Sequence, residues 1–284
     1  MAAPLTQIAI DGHVHIYPGY DVAKAVHCLL GNLERIPLTP PLSSQERGGH
    51  VSVGLLTESR SCRFYKDILR HGSPVKVDKL SLIAGPDEGC LTILDSNIIK
   101  GYLIAGRQIV TAEKLEILAL GSDVAVADGL PAEETLHAIR TQGAVPVLSW
   151  SPGKWFSGRG KLVKKLIETH SAGDFLIGDT GLRPTVWPLP RLMRMAGERG
   201  YTIIGGSDPL PLPGEEQWIG TYGITATAPF DPGTPAQSLR RLLTDTSTRF
   251  TLRGRRCPPL AFTSRWIQNQ FCGKKNVKTG GLNP

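Results

Sequence analysis

The sequence predicts an α/β fold, a distorted (β/α)7 TIM-type barrel, from two observations. Short, almost continuously apolar runs recur along the chain, as is typical of strands buried on both faces of a parallel sheet. Amphipathic stretches lie between these runs, and about seven such β–α units fit in 284 residues. The alternative is an open, doubly wound sheet, but "DGHVHIYPG" after the first run is not the glycine-rich phosphate loop of that fold.

Seven apolar runs predict the strands, and each is bounded by polar residues or glycine. They are residues 7–11, 51–57, 101–106, 115–121, 144–150, 174–179 and 201–206. Residues 75–111 are rich in strand-forming residues with glycine and proline breaks, which predicts a small antiparallel insertion in the alternation. The proline-rich stretch 34–49 predicts an extended surface loop.

Six stretches between the runs predict helices. They are residues 21–35, 60–70, 132–141, 161–170, 190–199 and 236–243. The clearest signals surround the third, where Pro131 and Glu133 lie in the first turn and Arg140 and Gly143 lie at the end. Such residues favour the start and the end of a helix because they suit its free backbone groups and its dipole.

The composition, 40% hydrophobic and 20% charged, is typical of a soluble globular protein. No window approaches about eighteen uninterrupted apolar residues, so no membrane span is expected, and no signal peptide is visible. Five scattered cysteines never form a Cys-x-x-Cys pair, which argues against a zinc knuckle or a disulfide framework. We therefore expect a cytoplasmic protein.

The positive charge is concentrated at the C-terminal end. Residues 249–284 contain eight basic residues and no acidic one, and removing these charges from the total of +7 leaves residues 1–248 at −1. We therefore expect a barrel domain over 5–245 and a basic extension over 246–284 that is able to contact nucleic acid or another polyanion. A solvated chain end explains the same charge, whereas the apolar residues of 258–271 favour packing against the body.

The first apolar run ends in a histidine pair. His13 and His15 lie two residues apart directly behind the run, and Asp11 precedes them. Alternate residues of an extended segment point the same way, so both imidazoles can reach one point in space. We interpret the pattern as part of a metal site; the alternative is two ordinary polar residues in a loop.

In barrels of this type the chemistry lies at the carboxyl ends of the strands, so the polar residues that follow each run are candidates. They are Glu58, Gln108, Asp123, Trp150, Ser151, Asp179, Arg183, Ser207 and Asp208. Asp208 is the best third ligand, although an aspartate at this place in a turn can also serve as a cap. Together with His13 and His15 it predicts a site for one divalent ion (Zn, Mn or Fe) with open positions for water.

These motifs resemble those of the polymerase-and-histidinol-phosphatase (PHP) family of metal-dependent phosphoesterases, over about residues 8–222. The family's opening Asp-x-His-x-His motif matches Asp11, His13 and His15, and its closing Gly-Ser-Asp motif ends at Asp208. Its other motifs fall on Thr57-Glu58-Ser59, Gly106-Arg107-Gln108, Glu116, Trp150-Ser151-Pro152 and Pro209-Leu210, where its ligand histidines and its ligand glutamate are absent. The resemblance implies a PHP-like barrel with a reduced, mononuclear metal site.

The opening motif and the turn at Asp208 also resemble the amidohydrolase superfamily. That superfamily places histidines after its fifth and sixth strands, and "VLSWSP" and "LIGDTG" supply none. The PHP family is therefore the better match.

Two functions fit these residues. The first is a hydrolase that acts on a phosphoester or a related small anionic substrate, with Asp179 or Glu58 as general base and Lys154 and Arg183 as substrate-binding residues. The second is a non-catalytic PHP-like barrel that serves as a binding or scaffold protein. It is favoured by the missing ligands, and it resembles the PHP-like subunit of ribonuclease P, which binds RNA. Metal content distinguishes the two functions.

Overall fold

The computed structural model describes residues 5–35, 49–60, 62–72 and 74–278, which fold as a mixed α/β protein with two sheets. One sheet has eight strands and the other has five. The prediction of a (β/α)7 barrel is wrong, because the strands of these residues belong to two separate sheets and do not close into one barrel. The predicted surface loop at 34–49 lies almost wholly outside the described residues.

The strands are numbered in chain order. They are β1 (Leu5–Val14), β2 (His50–Leu56), β3 (Val75–Val77), β4 (Leu80–Ala84), β5 (Cys90–Asp95), β6 (Ile98–Ile104), β7 (Gly106–Val110), β8 (Glu116–Leu120), β9 (Val145–Ser149), β10 (Leu176–Thr180), β11 (Ile203–Gly206), β12 (Tyr222–Pro229) and β13 (Thr251–Gly254). All seven sequence-predicted runs coincide with strands, namely β1, β2, β6, β8, β9, β10 and β11.

The helices flank these strands. They are α1 (Val22–Glu34), α2 (Phe64–His71), α3 (Ala132–Thr141), α4 (Ser157–Thr169), α5 (Arg191–Glu198), α6 (Pro235–Thr244) and α7 (Pro259–Lys278), with a 3-10 turn at Glu215–Trp218. The first six coincide with predicted helices, whereas α7 was not predicted. In the part of the chain that the structure describes, no helix is both long and apolar enough to cross a bilayer.

The barrel prediction failed because helices do not separate all of the strands. Six strands, β3 to β8, follow one another without a helix between them, and most of their pairings are antiparallel. Antiparallel neighbours need only a short turn. The turn between β5 and β6 has positive φ at Ser96 and Asn97, the pattern of a type I′ hairpin turn.

The sheets are mixed. The eight-stranded sheet has the order β13-β12-β1-β2-β6-β5-β4-β3, in which β1, β2 and β6 are parallel. The five-stranded sheet has the order β11-β10-β9-β8-β7, in which β9, β10 and β11 are parallel. The predicted basic extension contributes β13, which pairs with β12, and α7; the predicted domain boundary at 245 stays a prediction.

Both faces of the sheets are covered by apolar side chains. Ile8 and Ile10 of β1 pack in a cluster shared by the two sheets and α6, while Ala9 between them packs in a second cluster with α1. A third cluster joins the five-stranded sheet to α3, α4 and α5. The alternation along β1 follows from the period of two in an extended strand, and the same alternation brings His13 and His15 to one side.

The two sheets approach each other where β1 passes β11. A Cβ atom on Gly206 would overlap His13, and one on Gly12 would lie 2.7 Å from the carbonyl oxygen of Gly205. Glycine is needed here because only a residue without a Cβ permits such close contact between backbones. This contact places the residues that follow β11 beside the histidines of β1.

Candidate metal centre

Three candidate ligands meet where β1 and β11 pass each other. The Nε2 atoms of His13 and His15 lie 3.0 Å apart, and His13 Nε2 lies 3.5 Å from Oδ1 of Asp208. The three ligand atoms all lie within 4.8 Å of one another, and both histidines are buried. The structure therefore brings together the three residues that the sequence predicted as ligands.

The separations of 3.0 Å between the two imidazole nitrogens and 3.5 Å between His13 and Asp208 suit neighbouring ligands of one divalent ion. Metal–ligand bonds of about 2.0–2.2 Å separate neighbouring ligand atoms by roughly 2.9–3.5 Å in tetrahedral or octahedral geometry. Two imidazole nitrogens and a carboxylate oxygen suit Zn, Mn or Fe. Burial, with a smaller contribution from His13, lowers the pKa of His15 to about 3, so the imidazole is held in the neutral form that binds metals.

Gln108 offers a fourth donor from β7. Its Oε1 lies 3.2 Å from Nε2 of His13, within the spacing of the other ligand atoms. The amide oxygen is neutral, so it contributes less to binding a cation than a carboxylate at the same place would. A glutamate ligand is expected here from the PHP resemblance, and the structure shows that its replacement is close enough to the histidines to act as a weak donor.

The carboxylate of Asp208 is held by its surroundings. Thr180, the last residue of β10, donates its hydroxyl to Oδ2 at 2.9 Å, and the Asp208 amide donates to the carbonyl of His13 at 2.9 Å. Asp208 has φ +50, a left-handed conformation that aspartate tolerates better than most residues. These contacts leave Oδ1 directed at His13.

Asp11 supports the site without being one of its ligands. Its Oδ1 accepts from the amides of His13 at 3.1 Å and Ser207 at 2.8 Å, and its Oδ2 accepts from Gly220 at 2.8 Å. The side chain is fully buried, and this burial raises its pKa to about 6. Asp11 thereby joins β1 to the segment that follows β11, which explains why an acidic residue precedes the histidines.

His15 is oriented mainly by packing. Its ring stacks on Tyr17, with centroids 5.0 Å apart and an interplanar angle of 28°. Its Nδ1 is buried and has no hydrogen-bond partner among the described residues. Histidine ligands usually donate this second N–H to a carboxylate or carbonyl, so this support is missing on one side of the site.

Two of the candidate ligands, His15 and Asp208, line a cavity of about 330 Å³, a size within the range of small-molecule sites. Its lining residues come from several loops and from α7: His15, Tyr17, Gln108, Glu116, Ser151, Pro152, Lys154, Leu182, Asp208, Pro209, Leu210, Phe262, Arg265, Trp266 and Asn269. Lys154 also lines this cavity, and its ammonium lies 2.6 Å from Glu116; its predicted role in substrate binding stays a prediction.

The other predicted residues lie outside this lining. Asp179 and Arg183 form a buried ion pair through two hydrogen bonds of 2.8 and 2.6 Å, and Tyr222 donates to Asp179 at 2.7 Å. Arg183 also donates to the carbonyl of Trp187. The structure thus gives both charges a partner within the fold, and their predicted roles as general base and anion-binding residue stay predictions.

Glu58 lies beside a different, smaller cavity. Its carboxylate accepts from the backbone amide of Tyr65 in the first turn of α2, and burial raises its pKa to about 7. That value would suit a general base, but the cavity that Glu58 lines is formed with Arg60, Cys62 and Lys66 and not with the histidines. Its predicted catalytic role stays a prediction.

Two groups of residues at the site were not predicted from the sequence. Thr180 orients the carboxylate of Asp208, and a bare threonine at a strand end gives no signal of this. Phe262, Arg265, Trp266 and Asn269 of α7 also line the cavity, and their spacing of three, one and three residues is the signature of a single helix face. That spacing is readable in the sequence.

Comparison with protein-family models and with curated proteins finds no match. Among solved structures, the chain is similar to PsfC from Pseudomonas syringae PB-5123, with a TM-score of 0.56 and 16% identity over 94% of this chain and 99% of PsfC. This similarity shows a shared fold. The lesion-specific endonuclease PfuEndoQ from Pyrococcus furiosus gives a TM-score of 0.37 and 10% identity over 66% of this chain and 46% of that one, which is too weak to support an argument.

Proposed function

We propose that this chain is a metal-dependent hydrolase that acts on a phosphoester or a related small anionic substrate. One divalent ion would be held by His13, His15 and Asp208. The observation that carries the proposal is the meeting of two buried imidazole nitrogens and a carboxylate oxygen, within 4.8 Å of one another, at a cavity large enough for a small molecule.

The cavity also supports a PHP-like arrangement of the site. Gln108, Glu116, Ser151 and Leu210 stand at the positions matched to the family's ligand motifs, and all of them line the cavity that contains His15. Distant parts of the sequence thus meet where a PHP site would need them. Because serine and leucine replace histidine at two of these positions, we propose a single ion rather than a cluster.

The residues that line the cavity would have different roles in the reaction. A bound divalent ion would supply Lewis acidity toward a phosphoryl oxygen and its attacking water. Lys154 would bind the anionic group of the substrate, since its ammonium is in the cavity and partly exposed. Glu116 would accept a proton there, because the described lining residues include two carboxylates, Glu116 and Asp208, and Asp208 would bind the metal. We propose Glu116 in place of Asp179 and Glu58, which do not line the cavity.

The alternative is a binding protein that has lost catalysis. It is favoured by the neutral Gln108 and by Glu116, whose carboxylate is paired with Lys154. A nucleic-acid partner would use the basic extension, in which Arg256 donates to carbonyls of Pro184 and Thr185 and Arg265 is buried against Glu215. Both of these arginines therefore have partners within the fold.

Metal analysis combined with a substrate panel tests the proposal. The protein is purified without chelator, and its bound metals are measured by mass spectrometry before and after reconstitution with Zn, Mn or Fe. We expect one equivalent per chain and hydrolysis of at least one member of a panel of phosphomonoesters and phosphodiesters. A chain that takes up no metal and hydrolyses none of them would contradict the proposal and support the binding protein.

A further inference from the structure

One face of α7 forms a wall of the metal cavity. Phe262, Arg265, Trp266 and Asn269 all line it, and residues three, four and seven positions apart lie on the same side of a helix. His15 and Asp208 line the same cavity. The C-terminal helix therefore borders the space in which a substrate of the proposed hydrolase would bind.

A buried ion pair fixes this face of α7 beside the metal site. The guanidinium of Arg265 binds the carboxylate of Glu215 through two hydrogen bonds, and both side chains are about 6% exposed. The same guanidinium lies over the ring of Trp218, 4.4 Å from its centroid. Glu215 also accepts from the amide of Leu210 at 3.0 Å, two residues beyond Asp208, so α7 is tied to the segment that carries the metal-binding carboxylate.

The side chains that this face presents are aromatic as well as polar. Trp266 is 52% exposed although it lines the cavity, so much of its indole is available to a ligand. Phe262 lies beside the cavity and contacts Trp187, with ring centroids 5.8 Å apart. The cavity lining thus combines the cationic Lys154 and two candidate metal ligands with the aromatic side chains of α7.

We propose that Trp266, with Phe262 beside it, selects phosphoryl compounds that carry a flat apolar group such as an aryl ring. The anionic group would lie at the metal and Lys154, and the ring would stack on the indole. The inference rests on the proposed function, because that function supplies the anionic end of the site. Stacking on an aromatic side chain strengthens binding by about tenfold or more.

The test compares two unreactive ligands of the same charge, phenylphosphonate and methylphosphonate. Their dissociation constants are measured by calorimetry with the metal-reconstituted full chain, and the ratio of the two constants reports the contribution of the ring. We expect the wild type to prefer phenylphosphonate by about tenfold or more. W266A should lose the preference, and W266F should retain most of it because a ring is still present.

Ile267→Ala is the matched control. Ile267 is the next residue of α7, is 43% exposed, and does not line the cavity, so its replacement should leave the ratio unchanged. The inference is overturned if the wild type binds neither phosphonate, if it binds both equally, if W266A keeps the preference, or if I267A loses it. The last result would mean that disturbance of α7, and not the indole, accounts for the change.

The metal content of the same samples separates this inference from the proposed function. A chain that holds one ion but shows no preference for the ring keeps the proposed function and overturns the inference. A chain that holds no metal, but still prefers phenylphosphonate through Trp266, keeps the inference about the aromatic wall and contradicts the proposed function.

Discussion

Asp208 carries the negative charge of the proposed three-ligand site. Its replacement by asparagine keeps the shape of the side chain and an oxygen that can accept from Thr180, but removes the charge that offsets the divalent ion. We expect D208N to fold and to bind metal at least about 10–100-fold more weakly, since even losses of residues around the ligands cost that much. Calorimetric titration with Zn and Mn measures the change.

Asp123 provides the control for this substitution. Its carboxylate pairs with Lys66 at 3.0 Å beside a different cavity, so D123N removes the same charge without touching the metal site. We expect its metal affinity to equal that of the wild type. Equal affinities for D208N and the wild type would show that Asp208 is not a ligand.

Gln108 allows the opposite experiment. Its amide oxygen lies 3.2 Å from Nε2 of His13, so glutamate at this position would add a charged donor close to the other ligands. We expect Q108E to bind divalent metal at least about tenfold more tightly, because carboxylate oxygens are stronger ligands than amide oxygens for these ions. Titration of Q108E beside the wild type checks this, and an unchanged or weaker affinity would count against the ligand geometry.

The three candidate ligands could be predicted from the sequence because each has a local signal. His13 and His15 have the period of an extended strand, and Asp208 follows an apolar run with a glycine pair. Asp179 and Arg183 carry similar signals, yet the structure pairs them with each other. Whether a charged residue meets a partner within the fold depends on long-range packing, which a single sequence does not contain.

At the scale of secondary-structure elements, α7 depends on the pair formed by Arg265 and Glu215. Replacing Arg265 by methionine would leave a buried carboxylate without its counter-charge, which typically costs about 3–5 kcal/mol. We expect R265M to lower the free energy of unfolding by that amount in urea denaturation. Arg249→Met is the control, since Arg249 is exposed, and indistinguishable stabilities of the two variants would contradict the role of the pair.

We expect Glu58, whose carboxylate accepts from the first turn of α2, to make the stability of the fold depend on pH. Burial raises the pKa of its carboxyl from 4.5 to about 7, so the folded state binds a proton more tightly than the unfolded state does. The resulting stability is fully present below about pH 4.5 and is lost as the pH rises through about 7. E58Q cannot ionise, so the free energy of unfolding should fall less steeply over this interval than in the wild type.

Urea denaturation at several pH values between 4 and 8 measures this difference, with E88Q as a control because Glu88 is not among the buried residues. We expect the E88Q profile to follow that of the wild type. Parallel profiles for E58Q and the wild type would contradict a raised pKa of Glu58.

Strands and helices with a strong local hydrophobic pattern were predicted well. Elements that depend on contacts with distant parts of the chain were not. The seven apolar runs and six amphipathic stretches all coincide with strands and helices of the structure. β12, β13 and α7 were not predicted as elements. β12 and β13 gain their stability from neighbouring strands, and α7 is anchored by Arg265, whose partner Glu215 lies 50 residues away in the sequence.

At the scale of the whole molecule, the sequence indicated the class of fold but not its topology. An α/β chain with parallel strands is present, as β1, β2 and β6 and then β9, β10 and β11 show. Strands β4 to β6 pair antiparallel in one sheet, and β7 to β9 pair antiparallel in the other. The strands therefore form two sheets and not one barrel. The choice between a short turn and a helical crossover decided this. The turns at 78 and 96–97 lie within the predicted insertion at 75–111, whereas the turn at 114 was not predicted.

We propose above all that this fold binds one divalent ion through His13, His15 and Asp208. Anomalous diffraction from crystals grown with Mn or Zn locates such ions directly. We expect a single peak at the cavity, about 2.0–2.3 Å from Nε2 of each histidine and from a carboxylate oxygen of Asp208. No peak at these atoms, or a second ion in the same cavity, would contradict it.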